Sequence, residues 1–233
     1  MNSVSLVVKN VGPKLVPFFK TVAIYFVISP SADNPTIFRT VLKCLPIISL
    51  MLFVLLQGMS FEEKFKYSRR ILIGLVFCCF GDAFLVWPSY FEVGMMAFAL
   101  GHMNYILAFG FEPLNLSIGM ALLALNVTGI MYFLPDLSGS ILPVGVPIYI
   151  LLLGTMLWRA VAHFNSIKVS KNWNKACAAI GGILFVLSDL VIGLNMFKFK
   201  INHAEVIIMS TYYAAQLGIS LSVVDSSQHL TVK

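Results

Sequence analysis

Charged residues are scarce. Asp, Glu, Lys and Arg make up 11% of this 233-residue chain, against about 25% in soluble domains. With 59% hydrophobic residues and a mean hydropathy of +0.89, that scarcity excludes a water-soluble globule, and equally a disordered or fibrous chain. Long polar stretches are missing too. At roughly 20 residues per span, eight membrane helices would use about 160 residues, so no soluble domain of useful size fits in the remainder. Cysteines are few, and Cys44, Cys78, Cys79 and Cys177 all fall inside apolar stretches with no CxxC spacing. That pattern argues against a disulfide framework and against a zinc or redox motif. No GxSxG, GxGxxG, GxxxxGK[ST] or HExxH occurs. The net charge of +6 comes with no basic stripe, so no nucleic-acid partner is expected.

What remains is apolar sequence divided at regular intervals. Eight spans can be drawn, at about 15–29, 36–57, 70–87, 91–111, 114–133, 143–164, 174–197 and 205–224. The third, fourth, seventh and eighth stand out most clearly. The first is the weakest, because Pro17–Ile28 is short and holds Lys20. No A-x-A site follows it, so it reads as a span and not as a leader. The predicted fold is an all-α polytopic membrane bundle of about eight transmembrane helices. It forms one integral membrane domain over 1–233, with short tails at 1–14 and 225–233.

Basic residues set the orientation. With the N-terminus in the cytoplasm, inside segments hold Lys9, Lys14, Lys64, Lys66, Arg69, Arg70, Arg159, Lys168, Lys171, Lys175 and Lys233. Outside segments hold only Arg39, Lys198 and Lys200, so both termini are expected in the cytoplasm. A faint internal repeat accompanies this pattern. Gly74 to Asp82 resembles Gly181 to Asp189, and Tyr105 and Tyr212 each follow the Asp by 23 residues. The two sets lie 107 residues apart, which suggests a parallel 4+4 arrangement of helices around a central site.

Ionisable groups inside spans are costly in hydrocarbon and are functional candidates by default. Lys43, Asp82 and Asp189 are the three that stand out. From the helical rise, Asp82 lies about 18 Å and Asp189 about 21 Å from the cytoplasmic side, with Lys43 about 10 Å from the other face. All three fall in one layer and could meet. Two carboxyls at one level can divide acid and base work, one protonated and one ionised. A Lys43–Asp ion pair could simply tie helices together, but two Asp for one Lys leaves a carboxyl over. His102, Asn104 and Tyr105 sit together on the fourth span, and Tyr212 and Gln216 share a face of the eighth. Only His102 is deep among the histidines, and a catalytic zinc needs about three protein ligands, so no metal is expected.

The ordered set of these residues resembles the YhhN-like transmembrane family, whose characterised members are lysoplasmalogenases. The resemblance is nearest to its vertebrate type A branch. It rests on Lys43 and Pro46, on Gly81-Asp82 with Leu85, and on Phe91, Gly94, Phe98, His102 and Tyr105 at steps of three or four. Tyr149, Phe185, Ser188-Asp189, Ile192, Tyr212 and Gln216 complete it. The resemblance implies hydrolysis of the vinyl ether bond of a lysoplasmalogen, giving a fatty aldehyde and glycerophospho-ethanolamine or -choline.

Asp82 and Asp189 are then the expected catalytic pair. Lys43, His102, Asn104, Tyr105, Tyr149, Ser188, Tyr212 and Gln216 are expected to hold the substrate and water, and no cofactor is needed. The implied setting is the endoplasmic reticulum membrane. The implied partners are the lysophospholipid and the surrounding membrane lipids, with room for a homodimer. Two rival readings come from other classes. A proton-coupled transporter or scramblase would use the same deep Asp residues and the repeat, but would need a polar route across both leaflets. A purely structural subunit would leave two deep carboxyls without a role.

Overall fold

A computed structural model describes residues 3–28, 34–139, 141–165 and 173–224. These residues contain eight long α-helices: α1 (Ser3–Ile28), α2 (Ile37–Leu55), α3 (Lys66–Leu85), α4 (Phe91–Phe109), α5 (Leu116–Phe133), α6 (Leu142–Asn165), α7 (Trp173–Phe197) and α8 (Ala204–Leu221). Short 3₁₀ turns precede α3 and α4 and follow α5. No strand occurs among the described residues. Each helix corresponds to one expected span. The clearest difference is at the N-terminus, where α1 begins at Ser3, so most of the stretch expected as a tail is helical. The expected tail 225–233, and Lys168, Lys171 and Lys233 of the charge count, lie outside the described residues.

Local chemistry fixes the helix ends. The Thr36 side chain accepts from the Arg39 amide at 3.1 Å and caps α2. Gly110, at φ +70°, ends α4 in a backbone conformation that favours glycine. Pro13, Pro17, Pro46 and Pro147 lie inside helices, as membrane helices tolerate.

Five helices are long and apolar enough to cross a membrane by length and composition: α1 over Val11–Ile28, α2, α5 with its following turn, α6 and α7. The expectation that the third, fourth and eighth spans would be among the clearest is corrected. α3 opens with Lys66, Arg69 and Arg70, and α3, α4 and α8 carry five inner polar groups, Asp82, His102, Tyr105, Tyr212 and Gln216. Such helices can lie in a bilayer only if the polar faces turn inward, and all five side chains are buried.

Six helices form a ring in the order α2, α3, α4, α6, α7, α8, closing on α2. α1 packs outside α2, and α5 outside α6. The tightest pairs are α3 with α4 and α7 with α8. Both depend on glycine at matching points. A Cβ on Gly74 would stand 2.3 Å from the Tyr105 ring, and one on Gly181 would stand 2.8 Å from the Ala215 carbonyl oxygen.

The two ends of the bundle are also fixed by contacts. At the end bearing the α1–α2, α3–α4, α5–α6 and α7–α8 connections, here the upper end, Glu205 joins Tyr25 and Arg39, and Lys198 joins Asp136. At the lower end Tyr67 donates to Ser222 at 2.7 Å. Arg159, counted above as a cytoplasmic charge, is fully buried there. Its guanidinium donates to the carbonyls of Gly110, Pro113 and Leu114 and holds the α4–α5 connection.

Candidate active site

Asp82 lies in the last turn of α3, three residues before Leu85, and is 1% exposed. Tyr212 on α8 donates to its Oδ2 at 2.6 Å, and Lys43 Nζ on α2 lies 3.7 Å from its Oδ1. The network continues inward. Gln216 Nε2 donates to the Tyr212 hydroxyl at 3.3 Å, Tyr105 on α4 donates to Gln216 Oε1 at 2.8 Å, and the Cys78 thiol donates to Tyr105 at 3.8 Å. Tyr213 donates to the Lys43 carbonyl at 2.9 Å. Four helices thus meet around one carboxylate through satisfied buried polar groups, as a low-dielectric core requires.

Asp189, on α7, has other neighbours. Its Oδ2 accepts from the Tyr149 hydroxyl on α6 at 2.5 Å, and His102 Nε2 on α4 lies 3.9 Å away. His102 Nε2 and the Tyr149 hydroxyl are 3.0 Å apart. Tyr149 has one proton, and giving it to Asp189 makes Nε2 the donor to Tyr149. His102 Nδ1 is then the unprotonated nitrogen, and it is buried without a hydrogen-bond partner among the described residues. Phe185 packs against the His102 ring at 4.7 Å and the Tyr212 ring at 5.5 Å, with Phe98 beside it. An aromatic wall therefore separates the two carboxyl groups.

On the Asp189 side of that wall is a chamber of about 430 Å³ between α4, α5, α6 and α7. It runs from Phe91, Phe133 and Phe197 near the upper end down to Leu122 and Leu157. Its lining is almost wholly apolar, and Asp189 is its one charged residue. The chamber exists because α5 packs mainly on α6 and buries only Phe133. Among the described residues no group of three or more His, Cys, Asp or Glu could hold a metal ion.

The expected site residues are therefore divided. Asp189 and Tyr149 line the chamber. Lys43, Tyr105, Tyr212 and Gln216 gather around Asp82, and His102 stands behind Tyr149. Two further residues of the expected set point elsewhere. Asn104 donates to the Leu100 carbonyl and accepts from Arg70 at 3.3 Å, so it faces the lower end of α3 and away from both carboxyls. Ser188 donates to the Ile208 carbonyl at 3.1 Å and ties α7 to α8.

Residues outside the expected site set also enter: Tyr213 beside Tyr212 on α8, and the chamber residues Asn126 and Tyr132. A polar Asn126 near the middle of the largely apolar α5 is the sequence signal for this side of the chamber.

Residues 38–223 match the YhhN family. Lysoplasmalogenase TMEM86A of Bos taurus is 42% identical over 224 residues, covering 95% of this chain and 93% of its own. The Homo sapiens TMEM86A is 43% identical over 226 residues with the same coverage. Lysoplasmalogenase TMEM86B of Sus scrofa is 38% identical over 221 residues, covering 93% and 89%. No solved structure matches.

Proposed function

The chain belongs to the YhhN family, and from that premise we propose how its buried carboxyls do their chemistry. It is a lysoplasmalogenase, a hydrolase that cleaves the vinyl ether bond of a lysoplasmalogen. Such a bond yields when a proton is added to the β-carbon. The product is an oxocarbenium ion, water adds to its α-carbon, and the hemiacetal collapses to a fatty aldehyde and a free glycerol hydroxyl.

Asp189 is the proton donor in this proposal. The observation that carries it is the position of Asp189 as the one charged residue on the wall of an apolar chamber. A protonated Asp189 delivers its proton to the β-carbon, and the resulting carboxylate stands beside the cation. It then accepts the proton of the attacking water, which restores the acid. Tyr149 holds the carboxyl in place, and His102 orients Tyr149. Asp82 is the second member of the pair and acts across the aromatic wall. With Lys43 and Tyr212 it forms a fixed charge arrangement that needs no reorganisation as the cation forms. The alkenyl chain lies along the chamber, entering sideways past α5.

Further parts of the reading concern the membrane. All eight helices cross it, both termini face the cytoplasm, and the membrane is that of the endoplasmic reticulum. A parallel 4+4 relation is supported by the contact scheme. α1 on α2 is echoed by α5 on α6, the α3–α4 pair by α7–α8, and α8 against α2 by α4 against α6.

The test is aldehyde release from lysoplasmenyl-ethanolamine by purified protein in detergent. Wild type should release aldehyde, Asp189→Asn none, and Asp82→Asn much less than wild type. Wild-type turnover in a folded Asp189→Asn variant would sink the assignment.

A further inference from the structure

The chamber has a charged pair at its upper rim, between α5 and α7. Tyr132, at the upper end of α5, lines the chamber. Lys198, one residue beyond the chamber residue Phe197, holds its Nζ 4.1 Å above the Tyr132 ring and pairs with Asp136 in the turn after α5. The pair bridges the ends of α5 and α7, the two helices that flank the open side of the chamber. The other upper-end ion pair, Arg39 with Glu205 and Tyr25, belongs to α1, α2 and α8 and stands apart from the chamber. A cation, an anion and an aromatic face thus meet at the mouth of an apolar tunnel. Deeper in that tunnel, Asp189 lies nine residues below Lys198 on α7, about 13 Å along the axis. A glycerol and a phosphodiester fill a gap of that order between a vinyl ether and its polar headgroup.

We propose that Lys198, Asp136 and Tyr132 form a clamp for the zwitterionic headgroup of the lysophospholipid. This inference rests on the hydrolase reading above. Lys198 takes the phosphate, while Asp136 and the face of Tyr132 take the ammonium, each replacing the contact the pair makes with itself when empty. The clamp fixes register. With the headgroup held at the rim, the vinyl ether lies level with Asp189 and the chain runs below it. These are positioning residues, so their loss acts mainly through KM.

The experiment compares kcat/KM for three substrates with the same alkenyl chain: lysoplasmenyl-ethanolamine, its glycero-3-phosphate counterpart and plain 1-alkenylglycerol. Ratios between substrates are insensitive to the folded fraction of a variant. Wild type should prefer the phosphoethanolamine substrate to the alkenylglycerol. Lys198→Met should reduce that preference about tenfold, through KM, and Lys198→Arg should keep it. Asp136→Asn should erase the preference of phosphoethanolamine over phosphate. Wild-type ratios in both Lys198→Met and Asp136→Asn, or a wild type that does not discriminate, would overturn the clamp while leaving the hydrolase reading intact. No aldehyde from any substrate with wild type would instead remove the hydrolase reading, and the clamp with it.

Discussion

Asp82 and Asp189 follow the same glycine spacing on α3 and α7, yet one is sealed and the other faces open space. Around Asp82, α1 closes the wedge. Tyr25 and Phe26 pack edge-on against Tyr213, whose hydroxyl holds the Lys43 carbonyl. Around Asp189 the corresponding outer helix is α5, whose membrane-length window is 6% buried against 22% for α1. That window leaves the chamber unfilled. The same backbone plan thus yields one carboxyl fixed in the core and one on the wall of a chamber. What differs is how far the outer helix stands from its neighbours. In this account the open side does chemistry and the sealed side supplies its field.

The largest effect should come from breaking the open side. Asp189→Asn should lower kcat by about 10³ or more, the range of a lost general acid, with gel-filtration behaviour unchanged. A loss no larger than that of Asp82→Asn would remove the distinction between the two carboxyls.

Asp82→Asn should cost about 10² in kcat, as loss of a preorganised electrostatic group does. It should also lower thermal stability in detergent, because it leaves Lys43, whose side chain is 14% exposed, without its partner. The double variant Lys43→Met/Asp82→Leu should regain stability but not activity. A double variant no more stable than Asp82→Asn would show that the pair is not the source of the loss.

Tyr149→Phe should lower kcat by about tenfold and cost about 1 kcal/mol of stability, since it takes the hydroxyl partner away from the buried His102 Nε2. An unaltered kcat would show that the Asp189 carboxyl needs no help in orientation.

Two glycine substitutions sharpen the contrast with the smallest effects. Gly74→Ala puts a methyl into the Tyr105 ring and should destabilise by about 1–3 kcal/mol. Gly129→Leu on α5 meets nothing within 4 Å of its new Cβ, so stability should hold while kcat/KM falls for long-chain substrates more than for short ones. Equal stability losses in the two would mean that the α5 side is as tightly packed as α3 against α4.

Much of this was legible in the sequence. Apolar runs placed all eight helices, and the cost of a charge in hydrocarbon picked out Lys43, Asp82 and Asp189. Asn104 could have been set aside on geometry alone. Two residues beyond His102, it lies roughly 200° around the helix, whereas Tyr105 at three residues stays near the same face. Three other features were not legible. Tyr105 and Tyr212 hold matching sequence positions, yet Tyr212 binds Asp82 while Tyr105 binds Gln216, because partner choice depends on which helices close the ring. The chamber depends on a distance between helices, which periodicity does not encode. Arg159 counts as a loop charge in any tally, and only its three carbonyl partners explain its burial.

In the proposed mechanism Asp189 faces the substrate space as an acid and Asp82 does not. Dicyclohexylcarbodiimide, an apolar reagent that modifies protonated carboxyls reached from hydrocarbon, tests it most directly when the adduct is mapped by mass spectrometry. Modification is expected at Asp189, with loss of aldehyde release in step with it and protection of both by a saturated 1-O-alkyl lysophospholipid. Modification at Asp82 with Asp189 untouched would contradict it.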